Sequence, residues 1–304
     1  MNRYGAGSGK TMTADATTLH LRTVLGNHPH VQALKRGALH SDLLAFDFIE
    51  FTPTNRAFKP MVRELKFDVC EMAIVTYLMA KAYGKPLVLL PAVMVGRFQH
   101  AFALYNAARG VMTPADLKSK RVGIRSFTTT TGAWMRGILA NDYGVDLDGI
   151  HWITFEEPHV AEYQDRTERA PAGKNIIQML LDGEIDAAIG DTSNDPRLKT
   201  LFPDPEAEAQ RWYARHGIVP VNHLVVVTES LARSRPDAVR EIYRLLQESK
   251  AAAAPQAGLD LVPFGVEANR KSLELIIGYA AQQALIPRRY SVDELFDDTT
   301  RALD

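Results

Sequence analysis

Apolar segments of strand length alternate along the chain with amphipathic patterns of helical period, which is typical of an α/β protein built on largely parallel sheets. In the first part of the chain the apolar segments predict strands at residues 42–51, 67–70, 87–93 and 100–106. Thr54 is placed to cap a helix. The apolar face of that helix would consist of Phe58, Met61, Val62 and Leu65. A second helix, within residues 72–83, would end at Gly84.

The same alternation begins again at Thr113, where a threonine cap and the following Pro114 predict a short helix. The next apolar segments predict strands at residues 121–124, 150–155, 185–190 and 223–230. The next helical patterns would bury Met135, Ile138 and Leu139, then Ile176, Ile177, Leu180 and Leu181, then Val239, Ile242 and Leu246. Two more helices are predicted, one within residues 266–285 and one from Ser291, where Glu294 completes a capping box.

This repetition predicts two lobes, each a mixed, mostly parallel sheet flanked by helices. The first lobe would comprise residues 11–105 and 224–304, the second would comprise residues 106–223, and residues 1–10 would form a flexible tail. Two lobes joined by two crossing segments leave a cleft between them. Ligands of open parallel sheets bind beyond the carboxyl ends of the strands, so we expect the chemistry in the loops that follow the strands.

The overall composition is that of an ordinary globular protein, and its main use is to exclude some classes of partner. Of 304 residues, 46% are hydrophobic and 23% are charged, so the chain is long and apolar enough for about two hydrophobic cores. The 35 Lys and Arg balance 36 Asp and Glu without forming a basic stripe, so we expect no nucleic-acid partner. The single cysteine, Cys70, lies in an apolar segment and predicts a buried thiol.

The N-terminal sequence MNRYGAGSGK has no apolar core of a signal peptide, and no later segment reaches the length of a membrane span. We therefore expect no membrane partner and a cytoplasmic location, with the periplasm as the alternative for a chain whose leader has been removed. The segment GSGKT, residues 7–11, is similar to part of a phosphate-binding loop, but Tyr4 stands where that motif requires glycine. We do not predict a nucleotide site there.

The segment RSFTTTTGAW, residues 125–134, follows a predicted strand and opens a predicted helix. The free amide groups of the first helical turn and the positive end of the helix dipole would face the cleft, which favours a bound anion. The predicted ligands of this anion are Arg125, Thr128, Thr129, Thr130 and Thr131. The competing interpretation is a threonine-rich cap beside an arginine in a structural ion pair, although one hydroxyl group would suffice for capping.

Other polar residues follow predicted strands and are candidates to line the same cleft. In GRFQH, residues 96–100, Arg97 is a candidate to bind a second carboxylate. His100 is a candidate for proton transfer because imidazole titrates near neutral pH. A solvated loop arginine and a core histidine are the alternatives for these two positions. The remaining candidates are Glu71 in an apolar segment, Glu157 and His159 in FEEPH, and Asn222 and His223 in VNH.

The residue pattern does not support metal binding or acyl transfer. His28 and His30 are separated only by a proline, and no set of histidines and acids has a recognised ligand spacing. No nucleophile is visibly paired with a base. We therefore predict neither a metal nor an organic cofactor, while a metal held by residues far apart in the sequence stays open.

Two short segments, PADLKSKRVGI (114–124) and IIQMLLDGEIDAAI (176–189), resemble second-lobe signatures of type II periplasmic solute-binding proteins. Longer segments resemble the 4,5-dihydroxyphthalate decarboxylase family. They are FKPMVRELKFDVCEMAIVTYL, RSFTTTTGAWMRGILANDYGVD, WITFEEPHVAEYQD and APAGKNIIQMLLDGEIDAAI. The resemblance covers most of the chain from about residue 20 onward. It implies a two-lobed type II periplasmic-binding-protein-like fold and the non-oxidative removal of one carboxyl group from a hydroxylated aromatic dicarboxylate, giving protocatechuate and carbon dioxide.

This resemblance leads to a mechanistic hypothesis for a bound aromatic carboxylate. Arg125 and the threonines would hold the carboxylate that stays on the ring. His100 would protonate the reacting carbon, and His223 or Glu71 would lie near the ring hydroxyls. The alternative is a non-catalytic protein that binds a small carboxylate in the same cleft. The sequence leaves open which aromatic acid is used and whether the chain forms a homo-oligomer.

Overall fold

The apolar segments form two separate sheets in the computed structural model, which describes residues 18–254 and 258–304. The strands of these residues are β1 (Leu19–Val24), β2 (Leu44–Phe48), β3 (Val69–Ala73), β4 (Leu87–Gly96), β5 (Ala103–Asn106), β6 (Arg121–Ile124), β7 (His151–Thr154), β8 (Glu168–Arg169), β9 (Ala187–Ile189), β10 (Leu198–Thr200) and β11 (Val221–Thr228). The tail expected at residues 1–10 and the GSGKT segment lie outside the described residues.

Helices connect most of these strands and continue after the last one. The α-helices of the described residues are α1 (Gln32–Lys35), α2 (Phe58–Glu64), α3 (Ile74–Ala82), α4 (Thr130–Tyr143), α5 (Ile176–Asp182), α6 (Pro205–His216), α7 (Glu229–Ser234), α8 (Pro236–Ala251), α9 (Val266–Gln282) and α10 (Asp298–Arg301). The short 3₁₀ helices are Pro29–Val31, Thr54–Ala57, His100–Phe102, Ala107–Arg109, Pro114–Leu117 and Asp293–Leu295. Within the described residues, no helix combines the length and the apolar character needed to cross a membrane.

The first sheet has the strand order β2-β1-β3-β11-β4. Strand β1 is parallel to β2 and β3, whereas β11 is antiparallel to both of its neighbours, β3 and β4. Nearly all residues of the three strands β3, β11 and β4 are buried, because helices cover both faces of the sheet. Helices α1 and α8 pack on one face, and α2, α3 and α9 pack on the other.

The second sheet has the strand order β10-β5-β9-β6-β7-β8. The four strands from β9 to β8 in this order are parallel, and β5 is antiparallel to β9 and β10. Met135 and Leu139 of α4 pack on one face, and Met179 and Leu180 of α5 pack on the other. The prediction of two mixed sheets flanked by helices is therefore confirmed.

The chain passes between the two sheets twice. It leaves the first sheet after Gly96 and enters the second at Ala103, then leaves the second after Thr200 and returns to the first at Val221. Strand β5 therefore belongs to the second sheet, although the sequence placed residues up to 105 in the first lobe. The limits of the two lobes as domains stay a prediction.

Helix α4 connects the two halves of the molecule. Its residues Trp134 and Ile138 belong to the core of the first sheet, while other residues of the same helix pack on the second sheet. The indole nitrogen Nε1 of Trp134 donates a hydrogen bond of 2.8 Å to the carbonyl oxygen of Val221, at the start of β11. Helix α4 is buried around much of its circumference. Its packing on the first sheet holds its N-terminal turn in place beside that sheet.

Two of the predicted helices begin at other residues in the structure. Thr54 begins a 3₁₀ helix without a side-chain cap, and α2 starts only four residues later. Helix α3 begins at Ile74 rather than Met72, because Met72 still pairs with β11. The predicted capping box near the C-terminus is confirmed: the amide of Ser291 donates to Glu294 Oε2 at 2.7 Å, and the amide of Glu294 donates to Ser291 Oγ at 3.4 Å.

Candidate active site

The first turns of α3 and α4 meet where the carboxyl ends of β3 and β6 face each other. The hydroxyl oxygen of Thr130, in α4, accepts a hydrogen bond of 3.1 Å from the backbone amide of Val75, in α3. This contact places the threonine-rich segment beside the end of β3, which carries Glu71. The junction of the two sheets is therefore the place to look for functional side chains.

The side chain of Glu71 is buried at this junction, with 1% of the residue exposed. Its Oε1 lies 2.7 Å from Nδ1 of His223, and its Oε2 lies 2.8 Å from both Nε2 of His28 and the backbone amide of Gly26. Burial alone would raise the pKa of Glu71, but the hydrogen bonds from His223 and His28 outweigh it and hold the pKa well below its usual range. Glu71 is therefore a buried carboxylate anion.

The ring of His223 has one nitrogen committed to Glu71 and one left for a ligand. Because a carboxylate only accepts hydrogen bonds, Nδ1 of His223 carries hydrogen and Nε2 is the atom able to exchange a proton. The ring packs edge-on against Phe58 at a centroid distance of 5.2 Å. Phe58 makes a second edge-on contact, at 5.7 Å, with the ring of His159. Phe58 thus holds the two histidine rings beside one another.

His159 is a buried histidine in a positively charged environment. Its Nδ1 lies 2.8 Å from the hydroxyl oxygen of Thr76, and its carbonyl oxygen accepts a hydrogen bond of 2.9 Å from Nε of Arg63. Burial is the main cause that lowers the pKa of His159 to about 3. The positive charges of Arg125 and Lys59 act in the same direction. His159 is therefore neutral at neutral pH and serves as a hydrogen-bonding group rather than a cation.

Arg97 lies in the first segment that passes between the sheets. Its Nη2 donates a hydrogen bond of 2.8 Å to the hydroxyl oxygen of Thr131, and its guanidinium group lies 4.1 Å from the ring centroid of Phe102. Burial lowers the pKa of Arg97, and no acidic group contributes to the shift. Its Nε is buried and has no hydrogen-bond partner within the described part of the chain. Arg97 thus presents a partly buried positive charge that no described acid neutralises.

Gln99 and Asn222 complete the surroundings of Arg97. Nε2 of Gln99 donates to the Arg97 carbonyl oxygen at 2.7 Å and to Oδ1 of Asn222 at 2.8 Å. Nδ2 of Asn222 in turn approaches the hydroxyl oxygen of Thr131 at 3.4 Å. Asn222 immediately precedes His223 at the start of β11, which relates the surroundings of Arg97 to the Glu71–His223 pair along the chain.

Arg125 differs from Arg97 in having an acidic partner. Its side chain is 35% exposed, and its Nη1 lies 3.1 Å from Oε2 of Glu156. Burial raises the pKa of nearby Asp191, while the positive charge of Arg125 acts in the opposite direction. The charge of Arg125 is therefore already shared with acidic neighbours, in contrast to that of Arg97.

The four consecutive threonines make different contacts. The hydroxyl oxygen of Thr128 lies 3.1 Å from Oγ of Ser126, and the hydroxyl of Thr129 donates to the Ser126 carbonyl oxygen at 3.0 Å. Thr130 and Thr131 instead contact α3 and Arg97, as described above. Two of the hydroxyl groups thus stabilise the local turn, and the binding of an anion by the threonines stays a prediction.

His100 and Glu157 lie in other surroundings. The ring of His100 is 1% exposed, packs edge-on against Phe202 at 5.0 Å, and has no hydrogen-bond partner for either nitrogen among the described residues. Burial lowers its pKa to about 4. Glu157 is exposed and lies 3.7 Å from Arg63. The structure therefore brings Glu71, His223 and His159 together, whereas His100 packs among aromatic rings beside α6.

The sequence did not predict a role for Gly26, His28 or Phe58 at this site. Gly26 and His28 follow β1, a strand that the apolar pattern did not predict because polar residues interrupt it. His28 was considered only with His30 as a metal-binding pair. The two rings are stacked at a centroid distance of 5.3 Å. Among the described residues there is no group of three or more His, Cys, Asp or Glu side chains arranged to hold a metal ion.

Comparison with known proteins identifies two similar enzymes, and no family model matches the chain. A 4,5-dihydroxyphthalate decarboxylase of Comamonas testosteroni is 30% identical over 251 residues, which cover 77% of this chain and 76% of that enzyme. A 4,5-dihydroxyphthalate decarboxylase of Pseudomonas putida is 28% identical over 211 residues, which cover 64% of this chain and 81% of that enzyme.

Two solved structures of similar fold are ligand-binding proteins. The alkanesulfonate-binding protein of Xanthomonas axonopodis bound to MOPS has a TM-score of 0.59 at 15% identity, covering 94% of this chain and 99% of that one. The ligand-binding component of an ABC-type import system from Staphylococcus aureus, with zinc bound, has a TM-score of 0.57 at 10% identity, covering 93% of this chain and 98% of that one. These similarities confirm the predicted two-lobed type II periplasmic-binding-protein fold.

Proposed function

The chain belongs to the 4,5-dihydroxyphthalate decarboxylase family, and from this premise we propose that it removes one carboxyl group, without an oxidant, from a hydroxylated aromatic dicarboxylate bound at the junction of its two sheets. The observation that carries the proposal is the buried Glu71 carboxylate, which holds Nδ1 of His223 at 2.7 Å. This pairing leaves Nε2 of His223 as a proton-transfer atom.

The reaction needs a proton donor and an electron-rich ring. A proton adds to the ring carbon that carries the carboxylate, and that carbon becomes tetrahedral. The bond to the carboxylate then breaks, carbon dioxide leaves, and the electron pair of the broken bond restores the aromatic ring. A hydroxyl group para to the reacting carbon supplies electron density, as it does for both carboxylates of 4,5-dihydroxyphthalate. One proton is consumed and no electron leaves the substrate, so neither an oxidant nor a redox cofactor is required.

We assign the proton transfer to His223. Its protonated form would be stabilised by the ionised Glu71, which accepts the Nδ1 hydrogen and fixes the ring so that Nε2 faces the ligand. The sequence favoured His100 for this step. His100 has no carboxylate partner among the described residues, and its pKa of about 4 keeps it neutral near pH 7. A histidine paired with a buried carboxylate is the better candidate, because the carboxylate fixes the orientation of its ring.

We assign the anchoring of the substrate to the two arginines. Arg97 is partly buried without an acidic partner among the described residues, and a carboxylate of the substrate would supply the missing negative charge. Thr131 contacts both Arg97 and Asn222, the residue that precedes His223 in β11. Arg125 would bind the second carboxylate in exchange for part of its contact with Glu156. Two anchors suit a dicarboxylate, of which one carboxyl group stays bound while the other leaves.

The proposal is tested by decarboxylation in heavy water. The purified protein is incubated with 4,5-dihydroxyphthalate in D₂O, and carbon dioxide release is measured together with the deuterium content of the product. We expect one deuteron on the ring carbon that loses the carboxyl group. His223→Gln should lower the rate by about 10²- to 10⁴-fold, which is the usual contribution of a general acid. His20→Gln is the matched control, because the side chain of His20 is 65% exposed.

The alternative function is a non-catalytic protein that binds a small carboxylate. It is supported by the solved structures of similar fold, which include a protein bound to MOPS. Tight binding of 4,5-dihydroxyphthalate by the wild-type protein with no carbon dioxide release would favour this alternative. Full activity of the His223→Gln variant would instead keep the decarboxylase and overturn the assignment of the proton donor.

A further inference from the structure

The two oxygens of Glu71 have separate partners. Among the described residues, Oε1 accepts from the ring of His223 alone, whereas Oε2 accepts from the backbone amide of Gly26 and from Nε2 of His28, both at 2.8 Å. Both donors to Oε2 lie in the loop that follows β1, the strand next to β3 in the sheet. The Glu71 side chain is therefore fixed from the side opposite to His223, and its two oxygens cannot exchange roles without breaking these hydrogen bonds.

Gly26 leaves room for this arrangement. A Cβ atom on residue 26 would lie 2.5 Å from Nε2 of His28 and 3.0 Å from Oε2 of Glu71. Such distances are too short for non-bonded atoms, so any side chain there would displace the His28 ring from the carboxylate. The close approach of the Gly26 backbone thus depends on the absence of a side chain, and it supplies the second donor to Oε2.

His28 is separate from the side chains assigned to the substrate. Its ring stacks on His30 with an interplanar angle of 6°, while the ring of His223 packs on Phe58 near His159. His28 reaches the reaction only through Glu71, because its Nε2 is committed to Oε2. A role in orienting the carboxylate therefore fits its position better than a role in binding the substrate.

We propose that His28 is a positioning residue for the proton donor: with the Gly26 amide it holds Oε2 of Glu71, so that Oε1 remains aimed at Nδ1 of His223. This inference rests on the proposed function. If Oε2 lost the His28 donor, the buried carboxylate would turn toward other donors and the His223 ring would lose its fixed orientation and tautomer. Proton transfer from Nε2 would then slow, while the binding of the substrate carboxylates at the arginines would not change.

The experiment compares three substitutions in the full-length protein. His28→Leu removes the side-chain donor to Oε2 of Glu71, and His28→Gln keeps an N–H group at a similar reach. Gly26→Ala keeps the histidine at position 28 but pushes its ring away from the carboxylate. Steady-state kcat and KM are measured with 4,5-dihydroxyphthalate, and circular dichroism checks folding. The exposed His20→Gln again serves as control. Nitrogen-15 NMR of the histidine rings reports which nitrogen of His223 carries hydrogen.

We expect His28→Leu and Gly26→Ala to lower kcat by about 10- to 100-fold, the equivalent of one hydrogen bond to a charged group, with KM within about twofold of wild type. His28→Gln should restore most of the lost kcat. Wild-type His223 should carry hydrogen on Nδ1 in the ligand-free protein, and in the folded His28→Leu variant part of the population should shift to Nε2. If His28→Leu does not fold, Gly26→Ala and His28→Gln still provide the comparison.

Two results would overturn the inference. One is a kcat of wild-type size in folded His28→Leu or Gly26→Ala, and the other is a rise in KM at unchanged kcat, which would make His28 a substrate ligand. These results are distinct from failure of the proposed function. In that case the wild-type protein would release no carbon dioxide. Full activity of His223→Gln would keep the decarboxylase but would remove the proton donor that His28 is proposed to position, and so would also overturn the inference.

Discussion

Nη2 of Arg97 lies 2.8 Å from the hydroxyl oxygen of Thr131, which joins the first crossing segment to the N-terminal turn of α4. The contact orients a partly buried guanidinium group that has no acidic partner among the described residues. A partly buried cation without a counter-ion favours the binding of an anion beside it.

Replacement of Arg97 should therefore weaken the binding of any aromatic dicarboxylate. For Arg97→Ala we expect the affinity for phthalate, which lacks the ring hydroxyls, to fall more than about thirtyfold, since loss of a buried charged contact costs about 2 kcal/mol or more. Arg97→Lys should keep part of the affinity, because it preserves the charge but not the forked geometry. Isothermal titration calorimetry measures both variants.

Two other arginines provide the comparison for this prediction. Arg125→Ala should cost less than Arg97→Ala, because Arg125 is already paired with Glu156. Arg240 is exposed on α8, and Arg240→Ala should leave phthalate binding unchanged. Equal losses for Arg97→Ala and Arg240→Ala would show a general effect of net charge and would refute Arg97 as an anchor.

The packing of α4 against α9 predicts opposite effects for two glycine substitutions. A Cβ atom on Gly137, in α4, would collide with the ring of Tyr279, whereas one on Gly278, in α9, would meet nothing closer than 3.9 Å. Gly137→Ala should therefore destabilise the protein by about 1–3 kcal/mol through overpacking. Gly278→Ala should stabilise it by about 0.5–1 kcal/mol, because alanine is favoured over glycine within helices. Thermal unfolding measures both changes, and shifts of the same sign would contradict the packing of α4 on Tyr279.

Continuous apolar segments and well-defined helix starts made much of the fold predictable. The strands β4, β6 and β11 and the helices α5 and α8 lie where the sequence pattern predicts them. Strand β1 was missed because polar residues alternate with its buried ones, and α6 was missed because most of its residues are exposed or only partly buried. Buried elements thus have a clear sequence pattern, whereas elements with one exposed face depend on tertiary packing.

The candidate site was only partly predictable for a related reason. Glu71 is a candidate from the sequence because it is an acid in an apolar segment, and the structure shows it buried and paired with His223. Its partners could not be inferred, because His28 and His223 are 43 and 152 positions away. They meet only because β1 and β11 flank β3 in the sheet. Strand order is a long-range property that local patterns do not specify.

The burial of His100 predicts a pH dependence of stability. Its pKa is lowered to about 4 in the folded protein, compared with about 6.5 in an unfolded chain. Between these values the unfolded state binds more protons, so stability rises with pH through this window and is lost as pH falls from 6.5 toward 4. The single group accounts for about 3 kcal/mol at most. His100→Phe should flatten this part of the curve, as measured by urea unfolding between pH 4 and 7.

The exposed His40 is the control for this prediction, because its ring makes only a surface contact with Asp42. His40→Gln should leave the slope of stability against pH unchanged. The comparison uses slopes rather than absolute stabilities, because the larger phenyl ring also changes packing against Phe202. An unchanged slope in His100→Phe would mean that the histidine is protonated in the folded state despite its burial.

Glu71→Gln should separate the charge of the carboxylate from its shape. Glutamine fills the same volume, but it carries no negative charge to stabilise the His223 imidazolium, and its NH₂ group opposes the donors of His28 and Gly26. We therefore expect kcat to fall by about 10²- to 10⁴-fold while phthalate still binds at the arginines. Glu64→Gln is the matched control, because Glu64 is exposed at the end of α2. The proposed proton donor relies on the negative charge of Glu71, so replacing that carboxylate by a neutral amide should impair it. A kcat of Glu71→Gln within about threefold of wild type would therefore remove Glu71 from the mechanism.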